Sequence, residues 1–531
     1  MLQRKTQTAE YWEREFEITE EDIEHLYSLI LERNSPVSTK ELVLEVIRHR
    51  CQQEEERMRA ELSRGVIYQP RDSYEVGQQL VFPVFDYRVG TVVSIRPGHN
   101  PEHGEFDVIA VQFEDEDKPR EFAANLKTPH KLNRGDDDGA ELWEAAHLIP
   151  PDELYEKYGD RVRQLVVEAL SRPDSEFVSY DDLWMLQGLL AEVHVGHLNL
   201  AEALIEVKGQ PVTVQEILAE LDLPEEIPEG IKEFSLNVAL QQDERFDLVH
   251  GRDGELWFLR RMEPPEALST PKWLVYTPVR YNRAFLSVEL LQIEWELDDE
   301  WTEGGISTDS ASLVPSTTVV LTYPHWKAGT LPLSSRTRSF FPPGDHKRGV
   351  ITFVDGRWGQ RFPGWIVYED RYICGLRDWY EQHKLPPGAY IILERTADPN
   401  EIMVDFRPRR MRREWTRVAS VEDGRLVFRM EKQPVACEYD EHVLIGEGDE
   451  AALEALRVQL AEQNVDIAEL LAMVFPELAK LSPQGTVHAK TLYSAINIVR
   501  RCPPGPIFAA LMSDRSYREM GNGYYALNVE A

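Results

Sequence analysis

The chain has 531 residues, too many for one hydrophobic core, so roughly three to five domains of ordinary size are expected. At 42% hydrophobic, 10% aromatic and 28% charged, its composition is that of a folded protein and argues against wholesale disorder. Against 58 Lys and Arg stand 93 Asp and Glu, a formal net charge of −35. That excess disfavours whole-surface binding to nucleic acid but leaves room for a local basic groove, because charge is screened over about 8 Å at physiological salt.

The opening stretch "MLQRKTQTAEYWEREFE" lacks the apolar core of a signal peptide, and no apolar run approaches the ~18 residues of a membrane helix. Cys51, Cys374, Cys437 and Cys502 are widely scattered with no CxxC pair. They read as reduced core thiols, so a cytoplasmic location without membrane contact is expected. The first predicted element, "EEDIEHLYSLILERN", places Ile23, Leu26, Ile30 and Leu31 on a helix face. A second helix, "STKELVLEVIRHRCQQEEERMRAEL", opens with Ser38 and Glu41 at capping-box spacing. Its apolar positions thin out after Ile47, which predicts a solvated or partner-facing second half. Residues 1–65 are therefore expected to form a helical hairpin.

From Tyr74 to Leu132 the pattern changes to short alternating strands broken by Gly, Pro and Asn, which predicts a small β-barrel within a domain at 66–135. Its stretch "VGQQLVFPVFDYRVGTVVSI" resembles the Tudor- or SH3-like barrel at the C-terminus of some DNA repair helicases. The resemblance covers about 70–133 and is carried by Val76, Gly77, Pro83, Phe85, Gly90, Thr91 and Val92. Phe82 stands where that family usually has His, and two extra residues lengthen the turn. The resemblance implies a protein partner, RNA polymerase in the family. An acidic linker, "NRGDDDGAE", follows.

Residues 150–265 return to helix and close with three short helices and two strands, "RFDLVHG" and "GELWFLRRM", joined at "RDG". Over about 197–262 this order resembles a winged helix-turn-helix of the variety fused to chromatin proteins and restriction enzymes. Its predicted reading helix, "EGIKEFSLNVALQQDE", carries one Lys against four acidic residues, so protein docking is the favoured role. The C-terminal domain, 451–531, repeats the order over about 455–529 and offers Arg500, Arg501, Arg515 and Arg518 beside a "GNG" hairpin tip.

Between them, 266–450 is rich in aromatic strands and Pro/Gly turns. Over about 331–417 it is similar to the B3-type pseudobarrel, a DNA-binding fold of plant transcription factors and some restriction enzymes. The positions that carry the similarity are Asp355, Gly359, the arm "RFPGWIVYEDRY", Gly375 with Trp379, Leu385 and Gly388. Leu376 and Ala389 depart from it, standing where the family often has Trp and Asp. The expected fold class is thus multidomain α+β: a small SH3/Tudor-like barrel, two winged-helix domains and a B3-like pseudobarrel.

The same segment holds "VDFRPRRMRREWTR", and 331–417 carries 16 Lys/Arg against 11 Asp/Glu inside an acidic chain. Arginine's planar fork suits phosphate oxygens and guanine edges, and Phe406, Met411 and Trp415 are read as anchors of the strand that carries it. The B3 resemblance implies two arms in a major groove. One offers Ser335, Arg336, Thr337 and Arg338, and the other Gln360, Arg361, Trp365 and Arg371. Arg407, Arg409, Arg410, Arg412, Arg413 and Arg417 are then phosphate contacts. The competing reading pairs these arginines with the protein's own carboxylates, which leaves an interaction scaffold without nucleic acid.

Signals for catalysis are thin. Glu206-Val-Lys208 with Asp181 and Asp182 upstream matches a metal-dependent nuclease pattern, but "NLAEALIEVKG" has helical periodicity where that motif needs a strand. His194/His197 and His99/His103 lack a third ligand at metal spacing. The chain has no phosphate-binding G-x-x-x-x-G-K-[ST], no dinucleotide G-x-G-x-x-G and no G-x-S-x-G elbow. A non-enzymatic DNA-binding protein without cofactor or small-molecule substrate is expected, a transcription regulator or the DNA-reading part of a defence or repair system.

Overall fold

A computed structural model describes residues 4–62, 65–85, 88–100, 103–113, 116, 118–128, 130, 148–251, 254–302, 314–342 and 347–528. The acidic linker at 133–141 and the turn residues 252–253 lie outside them. The chain divides into two compact units, 1–194 with 222–239, and 195–221 with 240–531.

In the first unit α1 (Glu20–Arg33) starts at Thr19, whose backbone N–H and hydroxyl both donate to Asp22 at 2.8 Å, and stops at Asn34 in the left-handed region. Two residues of strand, β1 (Val37–Ser38), lead into α2 (Thr39–Leu62), from which Arg50 clamps the buried Asp22 carboxylate at 2.8 and 2.5 Å. An antiparallel meander follows: β2 (Val66–Ile67), β3 (Gln79–Phe82), β4 (Arg88–Pro97), β5 (Asp107–Phe113) and β6 (Arg120–Ala124), hydrogen-bonded in that order except that β2 and β3 run parallel. Alternate residues Leu80, Phe82, Val92, Ile109, Val111 and Phe113 close its core. The chain returns to helix in α3 (Pro151–Leu170) and ends in β7 (Phe177–Tyr180) and β8 (Leu183–Leu186). Strand β8 pairs with both β7 and β1, so the barrel is an insertion into one helix–strand–helix–helix–strand–strand module.

The order recurs twice further along the chain. First come α4 (Val195–Lys208), α5 (Val214–Leu218), α6 (Glu229–Gln242, which crosses the unit boundary), β9 (Phe246–Gly251) and β10 (Gly254–Leu259). Here the early strand is a single bridge, Val212 to Trp257 on β10. After the short α7 (Pro265–Leu268), α8 (Val288–Leu297) is capped by Ser287 and halted by Asp298 at φ 49°.

Next comes a mixed sheet that curls into a half-barrel. Its elements are β11 (Ser316–Val320), α9 (Tyr323–Ala328), β12 (Thr330–Pro332), β13 (Arg348–Asp355), β14 (Arg361–Val367), β15 (Tyr372–Cys374), α10 (Arg377–His383), β16 (Tyr390–Arg395) and β17 (Glu401–Phe406). The strand order is β11-β16-β17-β13-β14-β15-β12, and β9 joins β13 at His250–Gly349. Its core includes Leu331, Phe353, Ile366, Ile373, Ile391 and Val404. The positions that carry the B3 resemblance are turn and core positions: Gly359, Gly375 and Gly388 have positive φ, and Asp355, Trp379 and Leu385 are buried.

A long two-stranded ribbon leaves this sheet: β18 (Pro408–Glu422) and β19 (Arg425–Cys437), turned at Asp423 and Gly424, which both have positive φ. Short β20 (Ile445–Glu447) runs parallel to β18. The chain finishes with α11 (Glu450–Glu462), α12 (Ile467–Ala479), β21 (Thr486–His488), α13 (Ala489–Val499), α14 (Pro504–Ser513), β22 (Tyr517–Gly521) and β23 (Tyr524–Leu527), and β23 pairs with both β21 and β22. The protein is therefore mixed α+β with several sheets. Among the described residues no helix is long and apolar enough to cross a membrane.

Candidate nucleic-acid interface

The ribbon is held at both ends. Near its turn, Ala419, Leu426 and Phe428 enter the core of the C-terminal helices, and at its base Val435 and Cys437 enter the half-barrel core. Between these anchors the backbone pairing continues, Arg412 to Val435 through Glu422 to Arg425, with an irregularity between Pro408 and Arg412. The middle, 409–415 on one strand and 429–434 on the other, is mostly exposed. Over 407–417 and 429–434 the ribbon carries eight basic residues against two acidic ones.

The six clustered arginines divide. Arg407 lies 3.4 Å from Glu438, both exposed. Arg409 pairs with Glu414, and its guanidinium lies 4.8 Å from the Tyr439 ring centroid. Arg417 donates to the Glu441 carbonyl at 2.8 Å, and burial pulls its guanidinium below the usual value. Arg410, Arg412 and Arg413 are exposed and have no hydrogen-bond or ion-pair partner among the described residues. Beside them Met411 is 60% and Trp415 59% exposed, so only Phe406 of the three expected anchors is in a core. Lys432, across the ribbon from Trp415, lies 5.0 Å from its ring centroid.

The two expected arms are largely committed to the protein's own structure. Ser335 donates to Asp298 at 2.8 Å, Thr337 is buried, and Arg336 donates to the Trp295 carbonyl while its guanidinium stacks 4.1 Å from that indole. In the second arm Arg361 grips Glu401 at 2.5 and 3.2 Å. Trp365 is a core residue, packed 5.5 Å from Phe258. Arg371 lies over Trp301 at 4.7 Å and donates to the Glu300 carbonyl at 3.2 Å. Arg338 and Gln360 remain exposed. Of the arms' arginines only Arg338 is thus exposed without a side-chain partner, whereas the ribbon groups three such arginines in four positions.

The C-terminal module spends its basic residues differently from what its sequence suggests. Arg500 donates to the Val465 carbonyl. Arg501 is buried, donating to Asp299 at 2.8 Å and Glu300 at 2.6 Å. His325 meets the other Glu300 oxygen at 3.0 Å and Tyr493 donates to Asp299 at 2.8 Å. Asp298 arranges this: by taking a left-handed conformation it ends α8 and turns the next two carboxylates inward. Buried among Arg501 and His325, the Glu300 carboxyl sits below its usual range. Arg515 and Arg518 are exposed at the hairpin.

Glu206 and Lys208, the core of the nuclease pattern, lie on helix α4, where Glu206 pairs with Arg261 and Lys208 with Glu216 at 2.6 Å. Asp181 forms the β7–β8 turn at φ 52°, and Asp182 pairs with Arg163 at 2.9 Å. His103 meets Thr128 at 3.0 Å, and His197 is buried. Among the described residues no three His, Cys, Asp or Glu side chains converge as metal ligands would. Met430 and Lys432 also belong to this surface, although nothing within 404–417 points to them, because they lie on the paired strand. The signal that finds their strand is Asp423-Gly424, a two-residue hairpin turn between "VASVE" and "RLVF". Compared with protein-family models, curated proteins and solved structures, the chain gives no match.

Proposed function

We propose that the protein is a non-catalytic nucleic-acid-binding protein that contacts DNA through the middle of the β18–β19 ribbon. One observation carries this: Arg410, Arg412 and Arg413 stand exposed, without a partner among the described residues, on a ribbon anchored in two cores of a protein rich enough in carboxylates to neutralise them many times over. An exposed arginine that finds no internal partner is free for a phosphate. A two-stranded ribbon also has the width of a major groove.

We read the three helix–strand–helix–helix–strand–strand modules as winged helices, the half-barrel as a B3-like pseudobarrel and the inserted meander as a Tudor/SH3-like barrel. The sheet orders β1-β8-β7 and β21-β23-β22 support the first of these. The third helix of each module argues for docking on protein rather than on DNA. Helix α3 has three basic residues against five acidic, α6 has Lys232 against Glu229 and Glu233, and α14 has no charged residue at all. The helical modules and the small barrel would then recruit a protein partner, RNA polymerase being the one the barrel's resemblance implies, while the ribbon holds DNA. This suits a cytoplasmic transcription regulator or a DNA-reading subunit of a defence or repair system.

The test is fluorescence anisotropy with a randomised duplex over a salt series, wild type against R410A/R412A/R413A. Each phosphate contact contributes about −0.9 to the log–log slope, so the variant's slope flattens by about 2.7. If wild type binds neither this duplex nor a single strand at ~50 mM salt, the nucleic-acid reading falls and the protein is an interaction scaffold.

A further inference from the structure

We infer that the nucleic acid this ribbon takes is single-stranded or locally unpaired, with a base stacked on Trp415; this rests on the nucleic-acid reading above. Side chains alternate across a strand, so Arg413, Trp415 and Arg417 share one face of β18. Their cross-strand partners on that face are Pro434, Lys432 and Met430. The result is a row in which an indole lies between cations, with Arg413 beside it along the strand and Lys432 opposite.

Trp415 is the unusual member. It is as exposed as Trp295 and Trp358, but those rings are stacked by Arg336 at 4.1 Å and by His383 at 4.4 Å, whereas Trp415 lies on the basic span of the ribbon with only a flexible lysine ammonium 5.0 Å from its ring centroid. An exposed indole among cations offers a ligand an apolar π-face beside positive charge. A duplex cannot cover it well, because its base faces are used up in stacking on each other and only edges and phosphates face the grooves. An unpaired base presents its whole face, and an aromatic ring flanked by cations is how sequence-tolerant single-strand sites hold one.

Spacing agrees with this. Residues two apart on a strand repeat every ~6.8 Å, close to the pitch at which an extended single strand sets out its phosphates. Arg413 can therefore meet a phosphate while Trp415 holds the base beside it. The Lys432 ammonium now over the ring belongs to a flexible side chain, which can yield the ring face to a base and move to a phosphate. Arg412 alternates to the other face of β18, so on the face that carries the indole the phosphate contacts are Arg413 and the displaced Lys432.

The test compares an oligothymidylate of about 12 nucleotides with a hairpin duplex carrying as many phosphates, at one salt concentration. Wild type, W415A, W415F and R410A/R412A/R413A are measured on both, with circular dichroism as a check on folding. Stacking predicts that W415A weakens oligothymidylate binding about tenfold or more, that W415F retains most of it, and that duplex affinity stays within about twofold. If W415A costs less than about threefold on the single strand, or costs the same on both probes, the stacking inference is wrong. The arginine variant separates the two ideas: its failure on every probe alongside an intact W415A keeps the nucleic-acid reading and removes only this one. Should wild type bind neither probe, both fall.

Discussion

Replacing Arg501 by Met should be among the most damaging single changes available in the second unit. The guanidinium is 1% exposed and hydrogen-bonds two carboxylates that are 0% and 1% exposed. The methionine fills much the same volume but leaves Asp299 and Glu300 without their guanidinium, with His325, the Tyr493 hydroxyl and the Trp301 backbone N–H as remaining partners. Removing one member of a buried ion network costs about 3–5 kcal/mol, because the abandoned charge stays desolvated. At ~2 °C per kcal/mol for a unit of this size, the melting temperature should fall by about 8 °C. The triple variant D299N/E300Q/R501M abandons no charge, so it should recover part of that loss. Differential scanning calorimetry of the three proteins at pH 7.5 checks the ordering. An R501M protein that melts with wild type, or a triple variant less stable than R501M, would refute the argument that the buried charges hold one another in place. The pH dependence has a definite sign. The Glu300 carboxyl lies below its usual value when folded, so its stabilisation is complete above about 4.5 and is lost as pH falls below that.

His488 gives a second, separable pH dependence. Burial, together with His442 stacked 3.9 Å away and nearby Lys490, lowers it to about 3, and His442 is lowered in the same direction. The folded state therefore binds fewer protons than the unfolded one between 6.5 and 3, and stability should decline as pH falls through that window. In melting curves between pH 7.5 and 5, H488N should flatten the decline while preserving the acceptor that caps the Lys490 N–H; an unchanged slope would exclude this histidine as its source. Gly375 sits at φ +107° with a backbone carbonyl, that of Pro363, 2.5 Å from where a Cβ would be. G375A should cost about 2–4 kcal/mol, read as a loss of roughly 4–8 °C in the melting temperature, and a wild-type melt would show that this turn can relax.

The sequence disclosed elements whose signals are local and concealed those built by distance. The closing hairpin is legible because "GNG" supplies three consecutive positive φ angles, and the helical nature of 195–208 is legible from periodicity. The first module is not. Its second and third helices are separated by the whole inserted barrel, and its early strand is only Val37–Ser38, too short to carry an alternation. Nothing within "ELDDEW" signals burial, yet Asp299 and Glu300 are buried, because their counter-charge comes from Arg501, two hundred positions away. The arginine run was visible at once, but which arginines are free depends on Glu414, Glu438 and the Glu441 carbonyl. Trp415 illustrates the same limit: alternation with charged residues looked like a buried anchor, and only its strand partners place it on the open span of the ribbon.

That span behaves as a beam supported at both ends rather than as a hinged arm. An arm must be ordered each time it meets a ligand, and the entropy lost then weakens association. A beam clamped in two cores has lost that entropy during folding, so its row of cations meets a ligand already aligned, and binding should be fast and little affected by temperature-dependent loop motion. The clamp also works in reverse. Any ligand that grips the centre of the beam stiffens the connection between half-barrel and C-terminal helices, so occupancy should register as slowed hydrogen exchange at Leu426 and Phe428 as well as at Val435 and Cys437, none of which touches the ligand.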